Sequence, residues 1–483
     1  MNYLLSPLIL GRILILSAAT MLPALIVSFY FGDGAHMAFI DSMAALLLAG
    51  TVLILLFRKK KLVTSPRESF VAVALCWIAI SLFGALPPFL SGAIPNYIDA
   101  LFEITAGFTT TGATILQSVE NLPASILFWR SFTQWIGGMG VLLLTLAVLP
   151  AGARNAYNLV RSESTDLSSE RIVPRIRRSS GIICAIYFAL TLLETAMLLL
   201  CRLNLYDAVL HALATAGTGG FSDRNLSIGA FGSASVEFTV SVFMILFSVS
   251  FGLYYAVVTR KFRRISKNTE LRVFLGLIVI STVLITGDLL YHRVFPTFLE
   301  TVRHAFFQVS SLISSTAFSS TDYNLWPEFS RLLLIGLMAV GGCAGSTAGG
   351  LKIIRVVMLC KSAFREIKKI VHPRSVSVVN INGEPVQDKA LTGALHFFVI
   401  YILVIVVAML LVSLNNMGFD TTFSSVLACI SNTGPGFGIV GPASNYSGFS
   451  VLSKLVLLAT MMTGRLEIYP ILMLVVPASW RKA

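Results

Sequence analysis

The segment Phe108-Thr109-Thr110-Thr111-Gly112-Ala113-Thr114 lies between long apolar stretches, and variants of it recur three more times along the chain. The related segments are Thr218-Gly219-Gly220-Phe221, Thr316-Ala317-Phe318-Ser319 and Thr433-Gly434-Pro435-Gly436. With Gly112, Gly219, Ala317 and Gly434 taken as equivalent points, the separations are 107, 98 and 117 residues. Such wide and nearly even spacing indicates an internal repeat.

Each copy follows a short apolar segment that carries an acid at or near its start, at Asp99, Asp207, Glu300 and Asp420. An acid in this place accepts hydrogen bonds from the free N–H groups of a helix start and is favoured by the positive end of the helix dipole. The repeating unit is therefore predicted to be a long helix, a short helix, a Thr-Gly turn and a second long helix.

The composition of these turns suits a dehydrated cation. A cation that sheds its water needs a ring of oxygens, and backbone carbonyls can line a narrow passage where the chain adopts conformations that Gly tolerates. Short helices would also direct the negative ends of their dipoles at the passage. A single Thr-Gly turn is usually an ordinary loop, but four on one chain favour a shared ion site. The predicted ion-binding residues are Thr110, Thr111, Gly112, Gly217, Thr218, Gly219, Ser315, Thr316, Ala317, Asn432, Thr433 and Gly434.

The third turn departs from this pattern. Ala317 stands where Gly is expected, and its Cβ penalises the left-handed conformation by roughly 1 kcal/mol. We therefore expect this quarter of the ring to be less regular, which leaves strict potassium over sodium selectivity open.

The composition is that of a membrane protein. The 483 residues are 56% hydrophobic and only 12% charged, which is too apolar for one soluble core. A spanning helix needs roughly 20 apolar residues. Ten stretches qualify: Arg12 to Tyr30, Met37 to Phe57, Phe70 to Leu90, Ile126 to Leu149, Gly181 to Leu203, Glu237 to Thr259, Leu271 to Leu290, Ser330 to Cys360, Leu391 to Leu414 and Leu452 to Pro477.

The net charge of +13 could suggest a nucleic-acid partner, but the basic residues cluster in alternate connections between apolar stretches. These clusters are 58–61, 171–178, 260–267 and 352–374, whereas the connections with the Thr-Gly turns hold few basic residues. This asymmetry predicts cytoplasmic basic loops, turns that open outside and both termini in the cytoplasm. Contact with anionic lipid headgroups is the simplest role for the basic loops. The six cysteines are dispersed without a Cys-x-x-Cys pair, which indicates neither a disulfide framework nor a zinc site.

Four further motifs accompany the turns. They are Phe128-Trp129-Arg130-Ser131, the run from Gln134 to Gly140, the Gly-rich run from Gly341 to Gly350, and Gly464-Arg465-Leu466-Glu467. With these motifs the whole chain resembles the TrkH/TrkG branch of the bacterial potassium-uptake superfamily. The resemblance implies an all-α integral protein of the bacterial inner membrane that transports K⁺, has no organic cofactor and is not an enzyme. It also implies a homodimer and a TrkA-like cytoplasmic gating subunit that binds nucleotides.

Five segments are predicted. Residues 1–60 form an N-terminal transmembrane hairpin with its turn at Gly32-Asp33-Gly34, and 61–150 form the first pore repeat. The second repeat with a cytoplasmic connector spans 151–265, the third spans 266–365, and a second connector with the fourth repeat spans 366–483. Asn382-Gly383 is the predicted turn of a short hairpin in this second connector.

Two features are predicted to restrict the passage below the turns. The Gly-rich run interrupts an apolar helix, and irregular backbone at membrane depth is tolerated only where it lines a cavity or is buried in protein. We expect Gly341, Gly345, Gly349 and Gly350 to form a mobile plug. A phosphate-binding loop is disfavoured because no Gly-Lys-Ser/Thr sequence follows. Arg465 lies mid-membrane, where a charge is costly, and is predicted to face the passage as a positive barrier or to hold the Gly-rich loop. A pair with Glu467 is the alternative.

Other residues are assigned structural roles. His211 is predicted to be packed or hydrogen-bonded, Arg130 to anchor at the membrane interface, and the small residues of 137–140 to permit close helix packing. Two other functions remain as alternatives. A secondary transporter would show alternating-access kinetics. A membrane enzyme would need convergent acid, base or metal groups, and the intramembrane ionisable residues are few and scattered.

Overall fold

The computed structural model describes residues 5–57, 66–148, 173–374 and 378–477. Within these ranges the chain is almost entirely helical, which confirms the predicted all-α membrane fold. Six helical segments are long and apolar enough to cross a membrane, and a bent pair would make a seventh. The total of ten spans and the segment boundaries stay predictions. The basic cluster 58–61 and most of the connector 151–180 lie outside the described residues.

The N-terminal hairpin consists of α1 (Leu5–Thr20), α2 (Leu22–Phe31) and α3 (His36–Phe57). Its turn is at Gly32-Asp33-Gly34 as predicted, with Gly32 at φ +61° and Gly34 at φ +78°. The carboxylate of Asp33 accepts the N–H of Ser125 at 2.8 Å, so the turn caps the start of a later helix. The hairpin is thereby attached to the first repeat.

The next segment contains α4 (Pro66–Gly84), α5 (Leu86–Leu90), the short helix α6 (Tyr97–Phe108) and α7 (Ala124–Val148). It is followed by α8 (Val173–Leu200), the short helix α9 (Leu205–Gly217), α10 (Ala234–Ser248), α11 (Phe251–Val258) and α12 (Phe262–Ser266). A 3₁₀ turn at Ser227–Phe231 lies between α9 and α10.

The second half begins with α13 (Thr269–Tyr291), the short helix α14 (Phe298–Ile313), α15 (Glu328–Val340) and α16 (Ile353–Val371). It ends with α17 (Asp388–Ser413), the short helix α18 (Phe419–Ile430), α19 (Val451–Arg465) and α20 (Tyr469–Val475). Further 3₁₀ turns lie at Tyr323–Leu325 and Gly438–Val440.

Between α16 and α17 the strands β1 (Asn380–Ile381) and β2 (Glu384–Pro385) pair in an antiparallel register, Asn380 with Pro385 and Ile381 with Glu384. Asn382 and Gly383 form the turn at φ +56° and +86°, as the sequence predicted. The Asn382 side chain accepts the N–H of Thr269 at 2.7 Å, which attaches the hairpin to the start of α13.

The long helix that follows each short helix is interrupted. Helix α7 contains Gly140 at φ +72° and ψ 148°. Helix α19 is separated from α20 by residues 466–468, of which Glu467 and Ile468 have φ +54° and +68°. Helices α10 and α11 meet at an angle of 87°. The prediction of one continuous helix from Glu237 to Thr259 is therefore wrong. Helices α15 and α16 are separated by the Gly-rich run.

The short helices form the centre of the molecule. The second half of each is buried on all sides, as shown by Ala106, Ala214, Val309 and Ala428, which are all 0% exposed. Three of these helices begin with a side-chain cap, from Asn96, Asn204 and Thr297. Each carries its predicted acid in the first turn: Asp99, Asp207, Glu300 and Asp420. The acids and caps fix the outer ends of the helices, and their C-terminal ends lead into the Thr-Gly turns.

Candidate ion site

The four turns share one hydrogen-bond pattern. In each, two consecutive residues just after the short helix donate their N–H groups to carbonyls within it. The first donates to the carbonyl three residues earlier and the second to the carbonyl five residues earlier, which tightens the helix end. The first bonds join Thr110 to Gly107, Thr218 to Thr215, Ser315 to Leu312 and Asn432 to Cys429, at 2.9, 2.8, 3.1 and 3.3 Å. The second bonds join Thr111 to Ala106, Gly219 to Ala214, Thr316 to Ser311 and Thr433 to Ala428, at 2.8, 3.0, 3.1 and 2.8 Å.

Two residues of each turn are left-handed. The first set is Thr110, Thr218, Ser315 and Asn432, at φ +53°, +55°, +56° and +52°. The second set is Gly112, Gly220, Ala317 and Gly434, at φ +73°, +75°, +59° and +87°. The backbone at Ala317 thus follows the same course as the glycines, and its N–H bonds Ser311 just as Gly112 bonds Ala106. The expected irregularity of the third quarter is therefore absent from the backbone.

These angles shift the register of the second turn by one residue relative to the sequence comparison. Gly220, and not Gly219, is equivalent to Gly112, and Thr218 is equivalent to Thr110. Gly220 was thus missed as a candidate residue. Because Gly219 and Gly220 are adjacent, either could be aligned with Gly112 in the sequence. The left-handed backbone of Gly220 identifies it as the equivalent residue.

The turns lie against one another. A Cβ built on Gly112 would overlap the carbonyl of Gly219, one on Gly220 would overlap that of Thr316, and one on Gly434 would overlap that of Thr111. The third and fourth quarters are joined by Asn324, which exchanges two hydrogen bonds with Gly438, at 3.1 and 3.2 Å. A cavity of about 100 Å³ is lined by residues of all four quarters: Gly112, Gly220, Ala317 and Pro435. The predicted ion-binding turns are therefore brought together around a common space.

The hydroxyl and amide groups of the turns are buried. Thr110, Thr111, Thr218, Ser315, Thr316 and Thr433 are 0% exposed. The Asn432 amide donates to the Thr111 hydroxyl at 3.0 Å and to the Met461 carbonyl at 2.9 Å, which joins the fourth turn to the first. Such contacts restrict the movement of the oxygens around the space.

Gln134 on α7 supports the second turn and was not assigned this role from the sequence. Its Nε2 donates to the Gly219 carbonyl at 2.7 Å, and its Oε1 accepts the N–H of Phe221 at 3.1 Å. Close approach is possible because α7 carries glycines here: a Cβ on Gly137 would overlap the Phe108 carbonyl, and one on Gly138 would lie 2.7 Å from Gly217 Cα. The packing role predicted for these glycines is consistent with this geometry.

Arg130 is not an interface anchor, so that interpretation is corrected. It is only 2% exposed, and it forms a 2.6 Å ion pair with Glu103 on the short helix α6. Its guanidinium also lies 4.2 Å from the ring centroid of Phe221, after the second turn. A carboxylate buried behind the first turn needs a charged partner, and Arg130 supplies it. Glu103 within an apolar segment was the signal that sequence reasoning missed.

The Gly-rich run lies against the third and fourth turns. The Gly349 N–H donates to the Ser315 hydroxyl at 2.6 Å, and a Cβ on Gly349 would overlap the Ser431 carbonyl. Gly341 and Gly350 are left-handed and lie against each other, since a Cβ on Gly350 would be 2.7 Å from Gly341 Cα. The Phe251 N–H donates to the Gly345 carbonyl at 2.8 Å, at the bend between α10 and α11.

Arg465 contacts this run directly. Its Nη1 donates to the Thr347 carbonyl at 2.8 Å, and its Nη2 donates to the Gly137 carbonyl on α7. Glu467 instead pairs with Arg355 at 2.6 Å, and the Arg355 guanidinium lies 4.0 Å from the centroid of the Phe397 ring. The contact with Thr347 agrees with the interpretation that Arg465 holds the Gly-rich loop.

His211 and Asp223 lie beside the second turn. The two ring nitrogens of His211 are 2.8 Å from the Asp207 carbonyl and 2.9 Å from the Ser222 hydroxyl, so His211 is buried and hydrogen-bonded as predicted. In the loop beyond, burial and the nearby charge of Asp207 raise the pKa of Asp223 to about 6. No group of three or more potential metal-ligating side chains occurs in the described ranges.

Comparisons with known proteins agree over nearly the full length. Residues 35–482 match the family described as TrkH, cation transport protein. The Trk system potassium uptake protein TrkH of Escherichia coli K12 is 35% identical over 478 residues, 98% of each chain. The TrkG protein of the same organism is 32% identical and covers 98% of this chain and 97% of its own. The crystal structure of the potassium transporter TrkH from Vibrio parahaemolyticus superposes with a TM-score of 0.89 at 32% identity, covering 100% of both chains. The chain therefore belongs to the TrkH family of cation transport proteins.

Proposed function

We propose that this protein takes up potassium ions across the bacterial inner membrane through a channel-like passage on one chain. The observation that carries the proposal is the arrangement of the four turns, which share one backbone course and line a common cavity. The names of the relatives, Trk system potassium uptake proteins, support potassium as the transported ion.

In this proposal the ion is bound by carbonyl and hydroxyl oxygens of the turns. The contributing residues are Thr110, Thr111 and Gly112 in the first quarter, Thr218, Gly219 and Gly220 in the second, Ser315, Thr316 and Ala317 in the third, and Asn432, Thr433 and Gly434 in the fourth. The C-terminal ends of the four short helices add a negative field that attracts a cation and repels an anion.

The passage is closed by the Gly-rich run and Arg465 in the resting state. The contacts of Gly349 with Ser315 and of Arg465 with Thr347 support this role, since the first holds irregular backbone against the third turn and the second holds it from α19. Gly341, Gly345 and Gly350 allow the run to adopt a second course when it opens. This arrangement needs no chemistry on a bound substrate, in keeping with a protein that is not an enzyme.

Opening is controlled from the cytoplasm by a nucleotide-binding subunit similar to TrkA, and two copies of the chain assemble as a homodimer. Support for the subunit comes from the relatives' description as parts of a Trk system. The basic connectors, including Arg260–Lys267, are placed in the cytoplasm together with both termini.

The test compares two glycines with nearly equal backbone angles. Gly112 at φ +73° contacts Gly219, whereas Gly92 at φ +75° has open space around its Cα. Both Ala variants pay the left-handed penalty of roughly 1 kcal/mol, but only Gly112→Ala pushes two turns apart. In liposomes that hold the purified chain, we expect Gly112→Ala to lose Rb⁺ influx or Rb⁺ over Na⁺ selectivity, and Gly92→Ala to retain both.

Equal behaviour of the two variants would contradict a site lined by backbone. Saturable influx driven by a proton gradient in the unsubstituted chain would instead favour a secondary transporter.

A further inference from the structure

Glu103 of the short helix α6 accepts hydrogen bonds from the segment that follows the first turn. Its two carboxylate oxygens lie 3.0 and 3.1 Å from the Thr114 hydroxyl, and one of them accepts the N–H of Ile115 at 2.9 Å. The carboxylate is 0% exposed, so these bonds form at low dielectric, where they are stronger than in water. The first turn is thus held by the helix end before it and by Glu103 after it.

Arg130 on α7 orients this carboxylate. Its Nε and Nη2 both donate to Glu103 Oε1, at 2.8 and 2.6 Å. Its third nitrogen, Nη1, donates to the Ser222 carbonyl at 3.4 Å, in the segment that follows the second turn. Glu103 therefore accepts from a guanidinium, a hydroxyl and a backbone N–H, and a donor group in its place would face other donors.

The same contact recurs in the second quarter. His211 lies seven residues before the first left-handed residue of its turn, as Glu103 does. Its Nε2 lies 2.9 Å from the Ser222 hydroxyl, eleven residues further along the chain. Glu103 and Thr114 are also eleven residues apart. Both quarters therefore use one position of the short helix to hold the segment after the turn.

The other two quarters hold this segment from nearby positions. The Nδ1 of His304 on α14 lies 2.9 Å from the Ser320 hydroxyl. The Ser424 hydroxyl on α18 exchanges two hydrogen bonds with the Phe437 backbone, both at 3.0 Å. Of the four contacts, the one from Glu103 has a carboxylate with a bound guanidinium, and hydrogen bonds to charged groups are stronger than neutral ones. The first quarter should therefore depend most on its contact.

The segment held by Glu103 is joined to the fourth turn. The Thr114 carbonyl accepts the N–H of Tyr446 at 2.8 Å, and the Tyr446 hydroxyl donates to the Gly434 carbonyl at 2.7 Å. Gly434 is the second left-handed residue of the fourth turn and belongs to the proposed ion site. A displacement of Thr114 would therefore reach the oxygens of two turns.

We propose that Glu103 is a positioning residue for ion selection, which holds residues 113–116 and so fixes the spacing of the first and fourth turns. Arg130 orients its carboxylate and extends the contact to the second quarter. The effect on ion passage rests on the proposed function, whereas the holding contact does not.

The transport test uses four variants of the full chain in liposomes. Glu103→Gln keeps the shape but turns one acceptor into a donor. Thr114→Val removes the hydroxyl while the ion pair with Arg130 stays, and Thr114→Ser restores the hydroxyl. Asp288→Asn is the matched control, because Asp288 also accepts an N–H and a hydroxyl, both from Ser330 at 3.2 and 2.5 Å, but joins α13 to α15.

We expect Glu103→Gln and Thr114→Val each to lower the Rb⁺ over Na⁺ flux ratio by about tenfold, the factor that corresponds to loss of one hydrogen bond to a charged group. Thr114→Ser and Asp288→Asn should keep the ratio. An unchanged ratio in Glu103→Gln, or equal loss in Thr114→Val and Thr114→Ser, would overturn the positioning role. If Glu103→Gln does not fold, the comparison of the two Thr114 variants decides alone.

Hydrogen exchange measured by mass spectrometry on the same proteins tests the holding contact without any ion flux. We expect the peptide that covers residues 113–116 to exchange about tenfold faster in Glu103→Gln than in the unsubstituted chain, and equally fast in Asp288→Asn. Unchanged exchange in Glu103→Gln would overturn the proposal. If the unsubstituted chain conducts no Rb⁺ while exchange increases in Glu103→Gln, the proposed function fails and the holding contact stands.

Discussion

Ala317 is the residue at which sequence reasoning and backbone geometry differ most. The sequence predicts a disturbed third turn, yet Ala317 adopts φ +59° and its N–H makes the same hydrogen bond as those of Gly112 and Gly434. The left-handed penalty for Ala is roughly 1 kcal/mol, which the close contact of Thr316 with Gly220 and the surrounding buried helices can offset. A small penalty therefore does not change the path of a strongly constrained turn.

A pair of substitutions at this position tests the argument. Ala317→Gly relieves the penalty of roughly 1 kcal/mol but increases the entropy of the unfolded chain by about 0.5–1 kcal/mol, so we expect little change in stability. Ala317→Val places a β-branched side chain in a left-handed conformation, which is far less favourable. Thermal unfolding and the Rb⁺ over Na⁺ flux ratio should be close to unchanged for Gly and clearly reduced for Val. Tolerance of Val would show that the third turn is not held in this conformation.

At the level of elements, the interruption between α15 and α16 differs from the other three breaks in its length. Helix α7 bends at one residue, whereas here the whole run from Gly341 to Lys352 separates two helices. Polar contacts compensate for the missing helical bonds: Glu270 accepts the N–H of Ala344 at 2.7 Å and that of Ile354 at 3.2 Å. The run is thus supported from α13, α19 and the turns, and loss of one support should favour a second conformation.

Arg465→Lys separates two explanations for the arginine. Lys keeps the positive charge, but its single nitrogen cannot bridge the Thr347 and Gly137 carbonyls as the guanidinium does. If Arg465 holds the loop, both Arg465→Lys and Arg465→Gln should increase Rb⁺ influx without any partner subunit. An increase of about tenfold corresponds to one charge-assisted hydrogen bond of roughly 1.5 kcal/mol.

Arg272→Lys is the control, since the Arg272 side chain is exposed and bonds the Ser266 carbonyl in the connector just before α13. An increase confined to Arg465→Gln would instead identify a charge barrier.

At the scale of the whole molecule, the distribution of basic residues predicts its orientation in the membrane. The connector Arg260–Lys267 precedes α13, and Ser413 is the last residue of α17. Helices α13 and α17 are each long and apolar enough to span the membrane, and each follows a basic connector that is expected in the cytoplasm. Ser266, before α13, is therefore expected on the cytoplasmic side, and Ser413, at the end of α17, on the opposite side.

Single-cysteine variants measure this orientation. In a chain with its six native cysteines replaced, Ser413→Cys should react with an impermeant maleimide added to intact cells. Ser266→Cys should react only after the membrane is opened. Both positions are exposed serines, so the substitutions are matched in size and environment. Labelling of both residues from one side would contradict the proposed orientation.

Composition and motif spacing were sufficient to predict an all-helical membrane protein, its hairpin turn at Asp33 and the small hairpin at Asn382. These features follow from apolar length and from local turn chemistry, which act within a few residues.

Features that depend on contacts distant in sequence were not predictable. Arg130 and Glu103 are brought together by α6 and α7, and the bend at Val249 depends on the Gly-rich run, whose Cys343 N–H donates to the Ser248 carbonyl at 3.0 Å. The register of the second turn required the backbone angles of Thr218 and Gly220.

The four turns belong to one polypeptide and differ in sequence, with Gly, Gly, Ala and Gly at the second left-handed position. In an assembly of four identical subunits, a single gene mutation would alter every corner at once. Here one codon change alters one corner and leaves three intact, so selectivity can drift in graded steps during evolution. Ala317 is the corner that differs in residue type from the other three, and its backbone still follows their course.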